Sequence, residues 1–194
     1  MPDIAQIAQA LYFAGAVLCL VLVARSPLPA ALFWGVGAVL HAALAAVEFT
    51  DLLGWPIFTG LEGDLRYLAF TAGLLGFAFG AVFSLVLPPG SKWLTLITGI
   101  AIALLVAVAA DRLPLGNLPL PLILLGTLML AIIAGLRHRP VPGRWLLLGT
   151  LAVALAELAR HRYLGFIPMP PGSLARIFFG IALAGFGFTA FKAR

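Results

Sequence analysis

Four side chains stand where an apolar membrane helix ordinarily carries none: His41 and Glu48 in one hydrophobic stretch, Glu157 and His161 in another. A stranded ionisable group in hydrocarbon costs several kcal/mol, so such residues face a cavity, a partner or a cofactor. Imidazole and carboxylate together can accept and pass protons, attract a cation, or ligate zinc or iron. Gly37, His41, Leu44, Glu48 and Asp51 recur at helical spacing, which aligns the three polar groups on one stripe. His41 and Glu48 are two turns apart, about 10 Å along the axis. Glu157 and His161 are four positions apart on one face, with Arg160 three from Glu157.

Two helices presenting Glu48 and Glu157 to each other near one mouth would form a cation-attracting or proton-accepting vestibule, with His41 as the deeper station. The candidate pathway is therefore His41, Glu48, Asp51, Glu157 and His161. A blander arrangement pairs Glu157 with Arg160 or His161 and gives His41 a hydrogen bond to a neighbouring helix. A divalent-metal site built from Glu48, Asp51, Glu157 and His161 is a further option, since carboxylate and imidazole are proper ligands. His138 falls in a loop, and His41 and His161 differ in depth by about 15 Å on upright helices. That spacing disfavours both a three-histidine zinc site and a haem held by His41 and His161.

The elements that must position these groups follow from composition. At 63% hydrophobic, 10% charged and a mean hydropathy of +1.13, the chain has too little polar surface to coat a soluble globule. Apolar runs of about 20 residues indicate helices and not the alternating segments of an outer-membrane barrel. The first run lacks a basic n-region and a convincing cleavage site, so it reads as a retained span. Cys19 is the sole cysteine, which leaves no thiolate metal cluster and no intramolecular disulfide.

Proline and glycine clusters coincide with the few charges and mark the loops. They divide the chain into seven spans with approximate cores 4–24, 31–53, 66–87, 92–110, 118–136, 144–164 and 173–191. The fold expected is a single all-α polytopic membrane domain over residues 1–194. Arg25, Lys92, Arg137, Arg139, Arg144, Lys192 and Arg194 lie on one side, where no acid occurs. Asp3, Glu48, Asp51, Glu62, Asp64, Asp111 and Glu157 lie toward the other. The positive-inside rule then sets the N-terminus outside and the C-terminus in the cytoplasm, with a prokaryotic cytoplasmic membrane as the expected location. Topology accounts for the net charge of +5, so no nucleic-acid partner is expected.

Residues 4–87 and 118–191 can be superposed with a shift of roughly 110 positions. Arg25-Ser26-Pro27-Leu28-Pro29 then meets His138-Arg139-Pro140-Val141-Pro142, and Trp34 meets Trp145. Leu53-Gly54-Trp55 meets Leu164-Gly165-Phe166, and the Gly76 to Gly80 run meets Gly185 to Thr189. Helices rich in Leu, Ala and Gly also align by chance, so the loop matches are the stronger part of the comparison. With 92–110 as a linker helix, the plan is three plus one plus three, a parallel repeat. This plan resembles that of the SWEET and PQ-loop sugar transporters. Their Pro-Gln motif is absent, so the resemblance is architectural and assigns no residue a role.

Three functions fit these features. The first is a small transporter or channel for a solute or ion, with its path between spans two and six. The second is an intramembrane hydrolase using acid and base, with or without metal. Seven-helix hydrolases of the alkaline ceramidase type are a precedent, but their Ser-x-x-x-His and His-x-x-x-His elements have no match in Glu157-x-x-x-His161. The third is a non-catalytic subunit or sensor that uses its polar stripe to assemble with another copy or another membrane protein. The outer-loop residues Glu62, Asp64 and Arg66, with Arg176, suit an anion or a lipid headgroup, although interfacial ion pairs are commoner. The glycines suit close helix approach, as no phosphate-loop or dinucleotide pattern accompanies them. The converging acids favour the transporter.

Overall fold

The computed structural model describes residues 3–26, 30–55, 60–87 and 120–193, and among these every regular element is helical. The elements are α1 (Ile4–Ala24), α2 (Ala30–Leu52), α3 (Glu62–Leu68), a π-helical turn (Ala69–Gly73), α4 (Leu74–Leu85), α5 (Leu120–His138), α6 (Pro140–Arg160) and α7 (Pro171–Lys192). α3, the π turn and α4 run on as one helix from Glu62 to Leu85. Five helices are long and apolar enough to cross a membrane: α1, α2, the composite Glu62–Leu85 helix, α6 and α7. They mark the chain as an integral membrane protein. The expected span 92–110 lies outside the described residues, and 118–136 corresponds to α5.

Local chemistry sets the ends. The side chain of Gln6 accepts from the Asp3 N–H at 3.1 Å, holding one of the free donors at the start of α1. Two expected boundaries shift. Pro140 and Pro142, expected in a loop, occupy the first turn of α6, where the missing N–H costs nothing. Glu62 and Asp64, expected in the loop before span three, form the first turn of α3, where acids suit the positive end of the helix. At its other end α6 stops at Arg160, and His161 caps the helix instead of continuing it.

The helices close a ring. α1 packs on α2, α2 on α4, α4 on α5, α5 on α6, α6 on α7, and α7 on α1, with α7 making the two most extensive interfaces. Lipid tails are as apolar as leucine, so small residues that let backbones approach drive such packing. A Cβ on Gly180 of α7 would stand 2.7 Å from the Leu11 carbonyl oxygen of α1. On Gly185 it would stand 2.9 Å from Gly149 Cα of α6. On Gly76 of α4 it would stand 2.7 Å from the Phe33 carbonyl oxygen of α2.

Large side chains fill the middle of the ring. Trp34, Phe77, Phe186 and His41 are fully buried, and the Phe77 and Phe186 rings lie 4.8 Å apart. Trp34 Nε1 donates to Ser84 Oγ at 3.0 Å, tying α2 to α4. At the opposite margin Arg139 donates to the Ala193 carbonyl at 2.6 Å, fixing the chain end against the α5–α6 junction. Outward-facing Val39, Leu130, Ile133 and Leu151 are each more than half exposed, as lipid-facing positions are.

Candidate functional site

Glu48 lies one turn before the end of α2, and its side chain is only 8% exposed. It is held by two guanidiniums from other helices. Arg66 Nη2 of α3 donates to Oε1 at 2.7 Å, and Arg176 Nε of α7 donates to Oε2 at 3.3 Å. Each carboxylate oxygen therefore has its own cation, an arrangement of charge-assisted hydrogen bonds. Arg66 also donates to Glu62 on its own helix, one turn earlier.

These groups line a cavity of about 270 Å³ bounded by Tyr12, Leu44, Phe70 and Phe179, together with Glu48 and the arginines. A third arginine enters from α6. Arg160 lines the same cavity, with its guanidinium carbon 4.8 Å from the centroid of the Phe70 ring, and its Nη1 is 3.4 Å from Glu157. The walls thus come from α1, α2, α3, α6 and α7, all near one end of the ring. Three arginines and a single carboxylate line the cavity.

The floor is aromatic. Phe70 and Phe179 meet edge to face at 4.9 Å, and below them His41 is completely buried. His41 lies 5.8 Å from the Phe77 ring and 6.3 Å from Phe179, nearly parallel to both, with Phe70 edge-on at 5.6 Å. Its Nδ1 is 3.1 Å from the Tyr12 hydroxyl, so Tyr12 joins the cavity wall to the buried imidazole. Nε2 has no hydrogen-bond partner among the described residues. Gly73 in the π turn lies beside the ring edge, where a Cβ would meet His41 Cδ2 at ordinary contact distance, 3.4 Å. Gln9, one turn before Tyr12, is also buried and donates to the Ala45 carbonyl at 3.4 Å.

The sequence-derived set is therefore divided. His41 and Glu48 share the neighbourhood of one cavity, with Tyr12 between them. Glu157 does not line it; this residue pairs with Arg160 at the rim, where both side chains are more than 40% exposed. His161 is exposed beyond the end of α6, its ring 6.4 Å from that of Tyr163, and Asp51 is exposed in the last turn of α2. The expected mouth of two facing acids is replaced by one acid among three arginines. Among the described residues no three His, Cys, Asp or Glu side chains converge as metal ligands, so Glu48, Asp51, Glu157 and His161 are not assembled into one site.

The decisive partners were the ones the sequence left in the background. Arg66 and Arg176 read as interfacial charges because nothing in their spacing points to α2. Gln9 and Tyr12 carried a visible signal, because with Gln6 they make three polar groups at intervals of three in an otherwise apolar run. No family model, curated protein or solved structure matches the chain.

Proposed function

We propose that the protein is a small-solute carrier, with seven spans, an external N-terminus and a polar path that begins at the Glu48 cavity. The observation that carries this reading is the cavity's blind form. Charged and hydrogen-bonding groups line its mouth, while Phe70, Phe179, His41, Phe77, Phe186 and Trp34 fill the described bundle interior behind it. A channel needs a continuous path. A carrier needs a site open to one side and closed to the other, with closure exchanged by rocking of packed units.

Paired contacts support the units required. Gly37 of α2 lies against the Phe77 ring, and Gly149 of α6 lies in the same way against Phe186. Gly76 approaches the backbones of Phe33 and Gly37, as Gly185 approaches those of Trp145 and Gly149. Phe33 meets Phe79 of α4 at 6.3 Å, and Trp145 meets Phe188 of α7 at 4.7 Å. A parallel repeat of α1 to α4 and α5 to α7 accounts for these correspondences when Phe33 and Gly37 are set opposite Trp145 and Gly149, one position from the sequence match of Trp34 with Trp145. The Phe77–Phe186 contact then lies at the seam between the units.

The hydrolase reading is weaker because Glu48 is engaged by arginines and His41 is enclosed by aromatic rings, with no described histidine beside the carboxylate. Solute flux in proteoliposomes tests the carrier reading, using a panel of small solutes at fixed membrane potential. Flux should fall at least tenfold in Glu48→Gln and persist in Leu151→Val on the lipid face. Flux equal to that of the wild type in Glu48→Gln, or none above empty vesicles, removes it.

A further inference from the structure

We infer that the cavity takes a small oxyanion, a carboxylate or phosphate group, on the donor edges that Arg66, Arg160 and Arg176 leave open around Glu48. This rests on the carrier reading for its role in transport, but the binding site stands on its own geometry.

Glu48 itself shows what the site recognises. Arg66 and Arg176 converge on a carboxylate at 2.7 and 3.3 Å, each using one nitrogen, Nη2 and Nε respectively. A guanidinium offers five N–H donors in a planar fork, so both retain donors beyond those given to Glu48. Their side chains are 47% and 37% exposed, whereas Glu48 is 8% exposed. The acid is thus sealed at the back and the cations open toward the cavity.

Arg160 adds a third cation to the wall, its guanidinium carbon 4.8 Å above the Phe70 ring. Two further carboxylates approach the arginines, Glu62 at Arg66 and Glu157 at Arg160, and both are 41% exposed at the rim. Solvent-exposed pairs of this kind are worth roughly 0–1 kcal/mol, so they leave most of the attraction for an incoming anion. Inside the wall the balance remains three positive groups to one negative. A volume of about 270 Å³ is just below the range of roughly 300–1,000 Å³ that holds drug-sized ligands, which selects a small solute or a headgroup. Phe70, Phe179, Leu44 and Ala175 supply an apolar side for a short carbon skeleton.

Titration calorimetry on the purified full chain in a neutral detergent tests this, with inorganic phosphate, succinate and tetramethylammonium as separate probes. A lipid arm replaces these with phosphatidylglycerol or phosphatidylcholine in mixed micelles. Saturable binding of phosphate or succinate, weakened at least tenfold by Arg160→Gln, supports a free anion as ligand. Saturable binding of phosphatidylglycerol alone, weakened by the same change, supports the same recognition with a lipid headgroup as its source. Arg160 sits at a helix end and is half exposed, so its variant should keep the fold, which a thermal melt checks. Arg176→Lys, keeping charge without the fork, should bind at an intermediate strength. The inference is overturned by a folded wild type that binds no oxyanion, by preference for tetramethylammonium, or by binding unchanged in Arg160→Gln and Arg176→Gln. Oxyanion binding without flux would instead remove the carrier reading and leave the site standing, while flux indifferent to oxyanions would do the reverse.

Discussion

The carboxylate of Glu48 on α2 accepts a hydrogen bond from Arg176 on α7 at 3.3 Å, across 128 positions of sequence. α2 and α7 are not principal neighbours in the ring; each packs mainly on other helices. The bond therefore spans the cavity end of the bundle and fixes two walls that apolar packing holds only lightly. Replacing Glu48 by Gln keeps the size and one acceptor but leaves Arg66 and Arg176 without their shared anion. A loss of about 1–3 kcal/mol follows for charge-assisted bonds of this kind. Thermal unfolding in a fixed detergent should show the loss, and the double change Glu48→Gln with Arg176→Gln should deviate from additivity by more than about 0.5 kcal/mol. Strict additivity would mean that the two groups do not interact.

Tyr12 and His41 form a buried pair at 3.1 Å, and among the described residues the imidazole already has an unpartnered Nε2. Tyr12→Phe strips the remaining partner from Nδ1 and should cost about 1–3 kcal/mol. His41→Phe in the Tyr12→Phe background removes the orphaned nitrogens and suits the surrounding rings of Phe70, Phe77 and Phe179, so it should recover part of that loss. Melting of the single and double variants decides the matter. No recovery in the double variant would show that the histidine's packing, rather than its hydrogen bond, sets the stability.

Two glycines in long helices should respond to alanine in opposite directions. At Gly180 a Cβ would stand 2.7 Å from the Leu11 carbonyl oxygen, so α1 and α7 must separate, at about 1–3 kcal/mol for an overpacked contact. At Gly35 on α2 a Cβ meets nothing among the described residues within 4 Å, and the better helix former should gain up to about 1 kcal/mol. Equal effects at the two sites, measured by thermal unfolding, would argue against the close α1–α7 approach.

Cys19 is fully buried, so the wild type should resist an impermeant maleimide until it is denatured. In a Cys19→Ala background, Asp51→Cys should label in intact right-side-out vesicles and Lys192→Cys only after permeabilisation. The reverse pattern would invert the assigned orientation and turn the cavity toward the cytoplasm.

How much of this was legible in the sequence depends on distance along the chain. Hydrophobic run length located the described helices to within a few residues, because length and apolarity are properties of each segment alone. The errors fell where a residue type has two meanings. Pro140 and Pro142 break a helix in its interior but open one in its first turn. His161 continues the stripe of Glu157 only if the helix continues, and it stops at Arg160. The polar stripe of His41 and Glu48 was visible because it belongs to one helix. Their true partners, Tyr12 for the first and Arg66 and Arg176 for the second, come from other helices, and no periodicity encodes which faces meet.

The π turn at Ala69–Gly73 lies between Arg66 and the rest of its helix. A single π turn amounts to one residue more than the α-helical path requires, and each residue of an α-helix advances the side-chain direction by about 100°. Everything on the far side of that turn is thereby swung round relative to α4. The glycine seam of α4 can thus press against α2 while Arg66, on the same continuous helix, is aimed at Glu48. The surplus residue resets the phase of the helix, so that one continuous element meets α2 with glycines at one end and with a cation at the other.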